Sequence, residues 1–365
     1  MKYLLSIIII FFFVSCERTK KELPIIGIDY SKYNNLTEKK KLKYLDSLTQ
    51  HSPYNTKTYF DIAEEYYNLR NLSKSYRVSK TILENSTIEK DSFNIGKAYY
   101  YIGDCVEHTQ KDSAYYYYKQ AEKIFIAIKN NDRLAKALFN KGYLLFYDGV
   151  YTESEIELTK ALHYLNDSDN YLLLYQCLSL QGGNLEALSL YDEALDYYKK
   201  AQKIIPKLDV IDAKKFYYVV LNTVDLSNVY AAQGEYDQTL KVLREIDLNR
   251  LREYRPSVYA TVVSNIAYSK LNLYGPTEEV KKLLQEALFY TEKYGNDKDI
   301  VFKYKYLGEY YMMSNDKYNA TKNFKIALDA AITTEYNIEI VNLLKLLSQS
   351  DGDNFDSYHT EYLDR

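Results

Sequence analysis

The chain contains no tryptophan and only 5 prolines, 12 glycines, 3 cysteines and 4 histidines among 365 residues. So little Gly and Pro leaves few tight turns, which argues against a many-stranded sandwich and against a Gly-rich phosphate cradle. His51, His108, His163 and His359 lie more than fifty residues apart, and with three cysteines they cannot assemble a metal site. Charge of one sign is missing too. Lys and Arg total 47 against 50 Asp and Glu, a net charge of −3, so no global basic field draws in nucleic acid. Carboxylate pairs such as Glu64-Glu65 and Asp192-Glu193 stand where helix charge faces solvent, and no nucleophile, base pair or metal set accompanies them. The chain is therefore expected to be no enzyme and to carry no cofactor. What it has in plenty is tyrosine, 43 residues in a chain that is 47% hydrophobic, ample for a large core built from long helices.

The only apolar run of note is N-terminal. Residues 1–16 read MKYLLSIIIIFFFVSC. Lys2 precedes an apolar stretch from Tyr3 to Val14, too short for a stable span and suited to a signal-peptide core. Phe13-Val14-Ser15-Cys16 resembles the bacterial lipobox, with Phe where Leu is usual. The resemblance implies a signal peptide over 1–15, cleavage before Cys16, and a diacylglyceryl group with further acylation (palmitate) on Cys16. Two or three acyl chains hold a protein at a membrane without a spanning helix. Residues 16–35, polar and carrying Pro24 and Gly27, read as the lipidated cysteine and its tether. The expected address is the cell envelope, lipid-anchored to a bacterial membrane and facing the periplasm.

Self-similarity organises the rest. One copy runs Leu178…Gly182…Leu185…Ala194…Tyr198…Ala201…Pro206, and another Tyr304…Leu307-Gly308…Tyr311…Ala320…Phe324…Ala327. These spacings resemble the tetratricopeptide repeat (TPR), with a large residue at position 4, Leu-Gly at 7–8, Tyr at 11, Ala at 20 and 27, an aromatic at 24 and Pro at 32. With weaker copies included, the position-8 residue falls at 63, 103, 142, 182, 227, 268 and 308, at intervals of 40, 39, 40, 45, 41 and 40. The family's usual period is about 34; six extra residues amount to roughly 9 Å of helix, shared between two longer helices. The implied fold is all-α: an α-solenoid, a right-handed superhelix of seven to eight helix-turn-helix units over 36–365. Leu42, Leu45 and Leu48 behind Thr37 predict a capping helix over 38–50, residues 343–363 a degenerate eighth unit or a cap, and the 45-residue step a longer linker or local irregularity around Lys207–Lys215. No interval predicts a break into separate domains. Cys105 and Cys177 read as buried, unpaired small hydrophobes.

Small residues at 8, 20 and 27 let helices A and B approach, and the resemblance implies that helix A lines a concave binding face. In the third unit this puts Tyr143, Phe146 and Tyr147 on that face, aromatic anchors of the kind that dominate interfaces. In the fifth and sixth it puts Asn228 and Asn265 there, whose amides can hold a peptide backbone because each offers donor and acceptor. The family's Lys/Asn clamp for a terminal carboxylate is not reproduced, since Lys305 stands at position 5 of the seventh unit but Glu309 at position 9.

The leading expectation is a membrane-anchored TPR scaffold that binds a protein or peptide. A sensory protein acting through a partner is a second reading. A nutrient- or glycan-binding helical lipoprotein is a third, weakened by the lack of Trp for sugar stacking. Cys16→Ala is expected to move the protein from the membrane to the soluble fraction; a variant still pelleting with membranes after a high-salt wash would place the anchor elsewhere.

Overall fold

The computed structural model describes residues 27–51, 54–351 and 354–364; the signal stretch 1–15 and Cys16 lie outside them. Among the described residues there are nineteen α-helices and no strand. They fall into two compact units that meet between Ile124 and Phe125, a division that the repeat spacing does not predict. The first holds α1 (Tyr30–Tyr33), α2 (Glu38–His51), α3 (Thr56–Asn68), α4 (Leu72–Glu89), α5 (Ser92–Val106) and most of α6 (Lys111–Ala127). The second begins with α7 (Asn131–Tyr147), α8 (Tyr151–Tyr164), α9 (Tyr171–Ala187), α10 (Tyr191–Ile204), α11 (Asp212–Ala232), α12 (Tyr236–Leu243) and α13 (Leu248–Tyr254). It continues through α14 (Pro256–Tyr274), α15 (Glu278–Tyr294), α16 (Asp297–Met313), α17 (Lys317–Thr333), α18 (Asn337–Ser350) and α19 (Phe355–Asp364). From α3 onward the helices pair as successive hairpins, with α13 inserted after α12 and α18–α19 in the place of the eighth unit.

Local sequence explains where the helices start and stop. The side chains of Asn55, Asn71, Asp91, Asn130 and Asn170 cap α3, α4, α5, α7 and α9 by accepting an N-terminal backbone amide, which satisfies donors the helix leaves free. At the C-termini a left-handed residue closes the turn. Gly149, Gly234 and Gly275 do this, but with glycine so scarce Arg70, Lys90, Lys129, Ser189, Asn315 and Glu335 adopt it too, each at some cost from Cβ crowding.

Each hairpin depends on one close approach. A Cβ on Gly182 would sit 2.6 Å from Tyr198 Cε1, and one on Gly103 2.6 Å from Tyr118 Cε1. Gly308 meets Phe324 and Gly142 meets Leu158 in the same way. In these four hairpins position 8 of helix A therefore touches the facing side chain of helix B, which a side chain on the glycine would have to displace. Where the facing residue is Tyr, its hydroxyl reaches a carboxylate: Tyr118 donates to Asp104 (2.8 Å) and Glu107 (2.9 Å), Tyr198 to Glu186 (2.9 Å). Tyrosine thus fills the core with its ring while its hydroxyl finds a partner at the hairpin edge. Serine at position 20 adds a second tie, Ser75 to the Ala63 carbonyl and Ser154 to that of Gly142, both at 2.7 Å.

The structure refines or departs from expectation in four further places. The tether predicted over 16–35 ends early: Asp29 caps α1, and Tyr33 is buried against α2 in the first core cluster. The long step near Lys207–Lys215 is made by a 3₁₀ turn, Ile205–Lys207, followed by the 21-residue α11. Helix B of the fifth unit is broken into α12 and α13, because Asp247 caps a new helix through the Arg250 amide (3.0 Å). In the sixth unit the residue packed between the helices is Ala267, fully buried with Leu271 and Leu284, so Tyr268 is turned away from the hairpin. Cys105 and Cys177 are buried and free. No helix among the described residues is long and apolar enough to cross a membrane.

Gly182→Leu and Gly308→Leu are expected to cost about 1–3 kcal/mol each through overpacking. Gly27→Leu, with no atom within 4 Å of its Cβ position, should leave the thermal midpoint unchanged. Equal losses for all three by circular dichroism would contradict the helix contact assigned here.

Candidate functional site

In the second unit, the helices that begin each hairpin turn one face inward. Where Ser227 and Ala267 pack against helix B, the next residues, Asn228 and Tyr268, project from α11 and α14 toward the interior. There they line a cavity of about 500 Å3 together with Glu186 of α9, Asn265 of α14, Lys303 and Tyr306 of α16, and Tyr336 just ahead of α18. Tyr268 stacks on Tyr306 with ring centroids 4.3 Å apart, and Phe302 meets Tyr336 edge-on at 5.8 Å. One wall is therefore aromatic and the other polar.

The polar wall centres on an amide pair. Asn265 Nδ2 donates to Asn228 Oδ1 at 2.9 Å. Among the described residues, the Asn228 amide hydrogens and Asn265 Oδ1 have no other partner. The pair thus fixes its own orientation and leaves a donor set and an acceptor open to the cavity, a combination that matches a peptide group.

Ionisable groups around the cavity are displaced from their ordinary behaviour by burial, which disfavours charge. Asp225, one turn before Asn228 on α11, is pushed up to about 8 by desolvation and by the nearby Glu186. Desolvation also raises Glu186 despite the bond it accepts from Tyr198, and takes Glu309 to about 7. The Lys303 ammonium is pushed down to about 8 by desolvation, with Asp299 opposing the shift. Lys305 is paired, 2.7 Å from Glu339 Oε2. The Lys305 side chain that the sequence offers for a carboxylate clamp is engaged within the chain.

Of the residues the sequence picks out, Asn228 and Asn265 are brought into direct contact. Tyr143, Phe146 and Tyr147 form a separate cluster on α7 and do not line this cavity. Tyr143 and Tyr147 lie 4.6 Å apart by ring centroid, and Phe146 packs against Tyr151 at 5.6 Å and against Gly183 of α9. Tyr147 is the open member of the three, 59% exposed. Lys303, Tyr306 and the raised carboxyls were not visible as a group in the sequence. Their common feature is burial, which only the stacking of α9, α11, α14 and α16 creates. No group of His, Cys, Asp and Glu able to hold a metal ion occurs among the described residues.

A larger recess, about 880 Å3, lies among the turns around Asn130–Asp132 and Asn166–Asn170. Its walls combine turn residues with the start of α7 and the end of α8, whereas the smaller cavity is built on four helices, whose packing holds side chains more firmly.

No protein-family profile and no curated protein sequence matches the chain. Solved structures do. The apo quorum sensor NprR from B. thuringiensis is similar at a TM-score of 0.67 and 13% identity, over 89% of this chain and 92% of that one. A Rap conjugation gene regulator of plasmid pLS20, solved in complex with a Phr peptide, is similar at 0.57 and 17% identity, over 88% and 92%. A STAND signal-transduction ATPase with a tetratricopeptide repeat sensor from Pyrococcus horikoshii is similar at 0.51 and 15% identity, over 78% of this chain and 45% of that one. At such identities the likeness is one of fold, and it agrees with the repeat spacing and the hairpin contacts: this chain is a tetratricopeptide-type α-solenoid.

Proposed function

We propose that the chain is a membrane-anchored scaffold that binds a protein or peptide segment along the inner face of its second unit, between α11, α14 and α16. The observation that carries this reading is the Asn228–Asn265 pair, which offers an unbonded donor and acceptor to the cavity. An extended chain presents one carbonyl and one amide per residue, so such a pair can engage it without regard to side chains. The Phe302, Tyr306 and Tyr336 wall would take apolar side chains, and Tyr143, Phe146 and Tyr147 would extend the binding surface on α7. The Phr-bound Rap regulator, which shares the fold, supports a peptide as ligand. Residues 1–16 support attachment at the cell envelope through Cys16.

A sensory role is the second reading, favoured by the likeness to a quorum sensor. It would use the same groove, its occupancy being passed to a partner protein.

The test begins with crosslinking and pull-down from solubilised membranes, with the full lipidated protein as bait. Against the captured partner, Asn228→Ala, Asn265→Ala and Tyr143→Ala should each lower affinity roughly five- to hundredfold, the effect of leaving about 1–3 kcal/mol of partner polarity or contact unmet. Far-UV circular dichroism should not change. Unchanged affinity in all three variants would move the site to the outer face or the loops.

A further inference from the structure

Lys303 occupies a core position. Counted from each hairpin's close-approach residue, the equivalent sites in the six preceding units are Thr58, Ala98, Ala137, Cys177, Asn222 and Val262, and all are buried. These are small, apolar or internally hydrogen-bonded side chains. The seventh unit alone has an ammonium there, only 4% exposed and lining the cavity. Among the described residues no hydrogen bond or ion pair reaches it. The contrast is Lys141, the other buried lysine, which lies 2.8 Å from Glu157. Burying a cation without a counter-charge is costly, and nothing in the packing of α16 requires one at this site.

The surrounding charges do not supply the missing partner. Asp299, one turn earlier, accepts the Asn296 backbone amide in a capping box (3.3 Å). Glu339 is held by Lys305 and by Asn342. Glu186, across the cavity, accepts from Tyr198. Tyr306 and Tyr336 bring hydroxyl groups to the same walls.

We infer that Lys303 is the receptor for a carboxylate on the bound ligand, so that the groove takes a peptide carrying an acidic group beside the segment held by Asn228 and Asn265. This rests on the peptide reading above. The anion enters a desolvated pocket, pairs with Lys303 and gains the nearby hydroxyl donors, where a charge-assisted bond is strong. The carboxylate could be the peptide's C-terminus or an Asp or Glu side chain. Lys303 stands two residues before the engaged Lys305, on a different face of α16, so this site is not the terminal-carboxylate clamp that the repeat family would lead one to seek.

The experiment uses an array of short synthetic peptides, each made as free acid and as C-terminal amide, and each with Asp and Glu or with Asn and Gln in their place. Wild-type protein, Lys303→Met and Asn228→Ala are compared on it. Lys303→Met preserves length and apolar packing, so its melting temperature should match or exceed that of the wild type. Carboxylate-bearing peptides should bind the wild type and lose roughly ten- to hundredfold on Lys303→Met, the range for a hydrogen bond to a charged group. Loss on amidation identifies the C-terminus as the source, and loss on replacing Asp and Glu identifies a side chain. The methyl-labelled Lys303 resonance should also titrate near 8 in the free protein and move upward when such a peptide is added. Peptides that bind in an Asn228-dependent way, yet equally well without carboxylates and to Lys303→Met, would overturn this inference and leave the peptide reading standing. If the wild type binds no peptide in any form, the peptide reading itself fails, and this inference with it.

Discussion

Everything in this chain depends on two helices of a hairpin coming closer than ordinary side chains allow. Gly103, Gly142, Gly182 and Gly308 lie directly against Tyr118, Leu158, Tyr198 and Phe324, and Ala63, Ser227 and Ala267 hold the same place elsewhere, fully buried. That contact sets the rotation of helix A about its axis. Once it is fixed, the following residue must face the interior. Asn228 and Tyr268 line the cavity because Ser227 and Ala267 are locked against helix B. The groove is thus a by-product of the packing rule, and its chemistry can vary without disturbing the stack.

The same geometry explains why tyrosine serves at two of these contacts. A flat ring lies well on a glycine, as at Gly103, Gly182 and Gly308, and the end of that ring reaches the hairpin edge. Phenylalanine serves at Phe324, but at Tyr118 and Tyr198 the hydroxyl meets Asp104, Glu107 or Glu186. Indole is wider, so tryptophan suits the site less well. Stacking the inner helices then gathers polar groups into a partly desolvated space, which suppresses the ionisation of Asp225 and Glu309 and weakens the hold of Lys303 on its proton. A ligand that supplies the missing counter-charge or hydrogen bonds would relieve that desolvation.

Much of the fold was legible in the amino-acid order because the packing residues are small and regularly spaced: Gly182 and Gly308 mark the approach, and the intervals between markers count the units. Where the spacing misled, a local interaction overrode it. In the sixth unit Gly275 closes α14 one residue later relative to the packing, so Ala267 rather than Tyr268 enters the contact. In the fifth, Asp247 starts a new helix and breaks helix B. The two asparagines were legible since each stands near the marker on helix A. Lys303 was not, since one lysine in a run reading Lys303-Tyr304-Lys305 looks like a solvated helix face until the burial of α16 separates the two. Nor could the spacing show that Tyr143, Phe146 and Tyr147 would form a cluster of their own.

The central claim is that ligand contact falls on the inner helices of the second unit. Hydrogen–deuterium exchange of the full protein, with and without its captured partner, reads this directly. Protection should rise in 212–232, 256–274 and 297–313, the spans of α11, α14 and α16, and stay level in the helices that pack behind them. Protection confined to α12, α15 and α17, or to the unit that ends at Ile124, would contradict it.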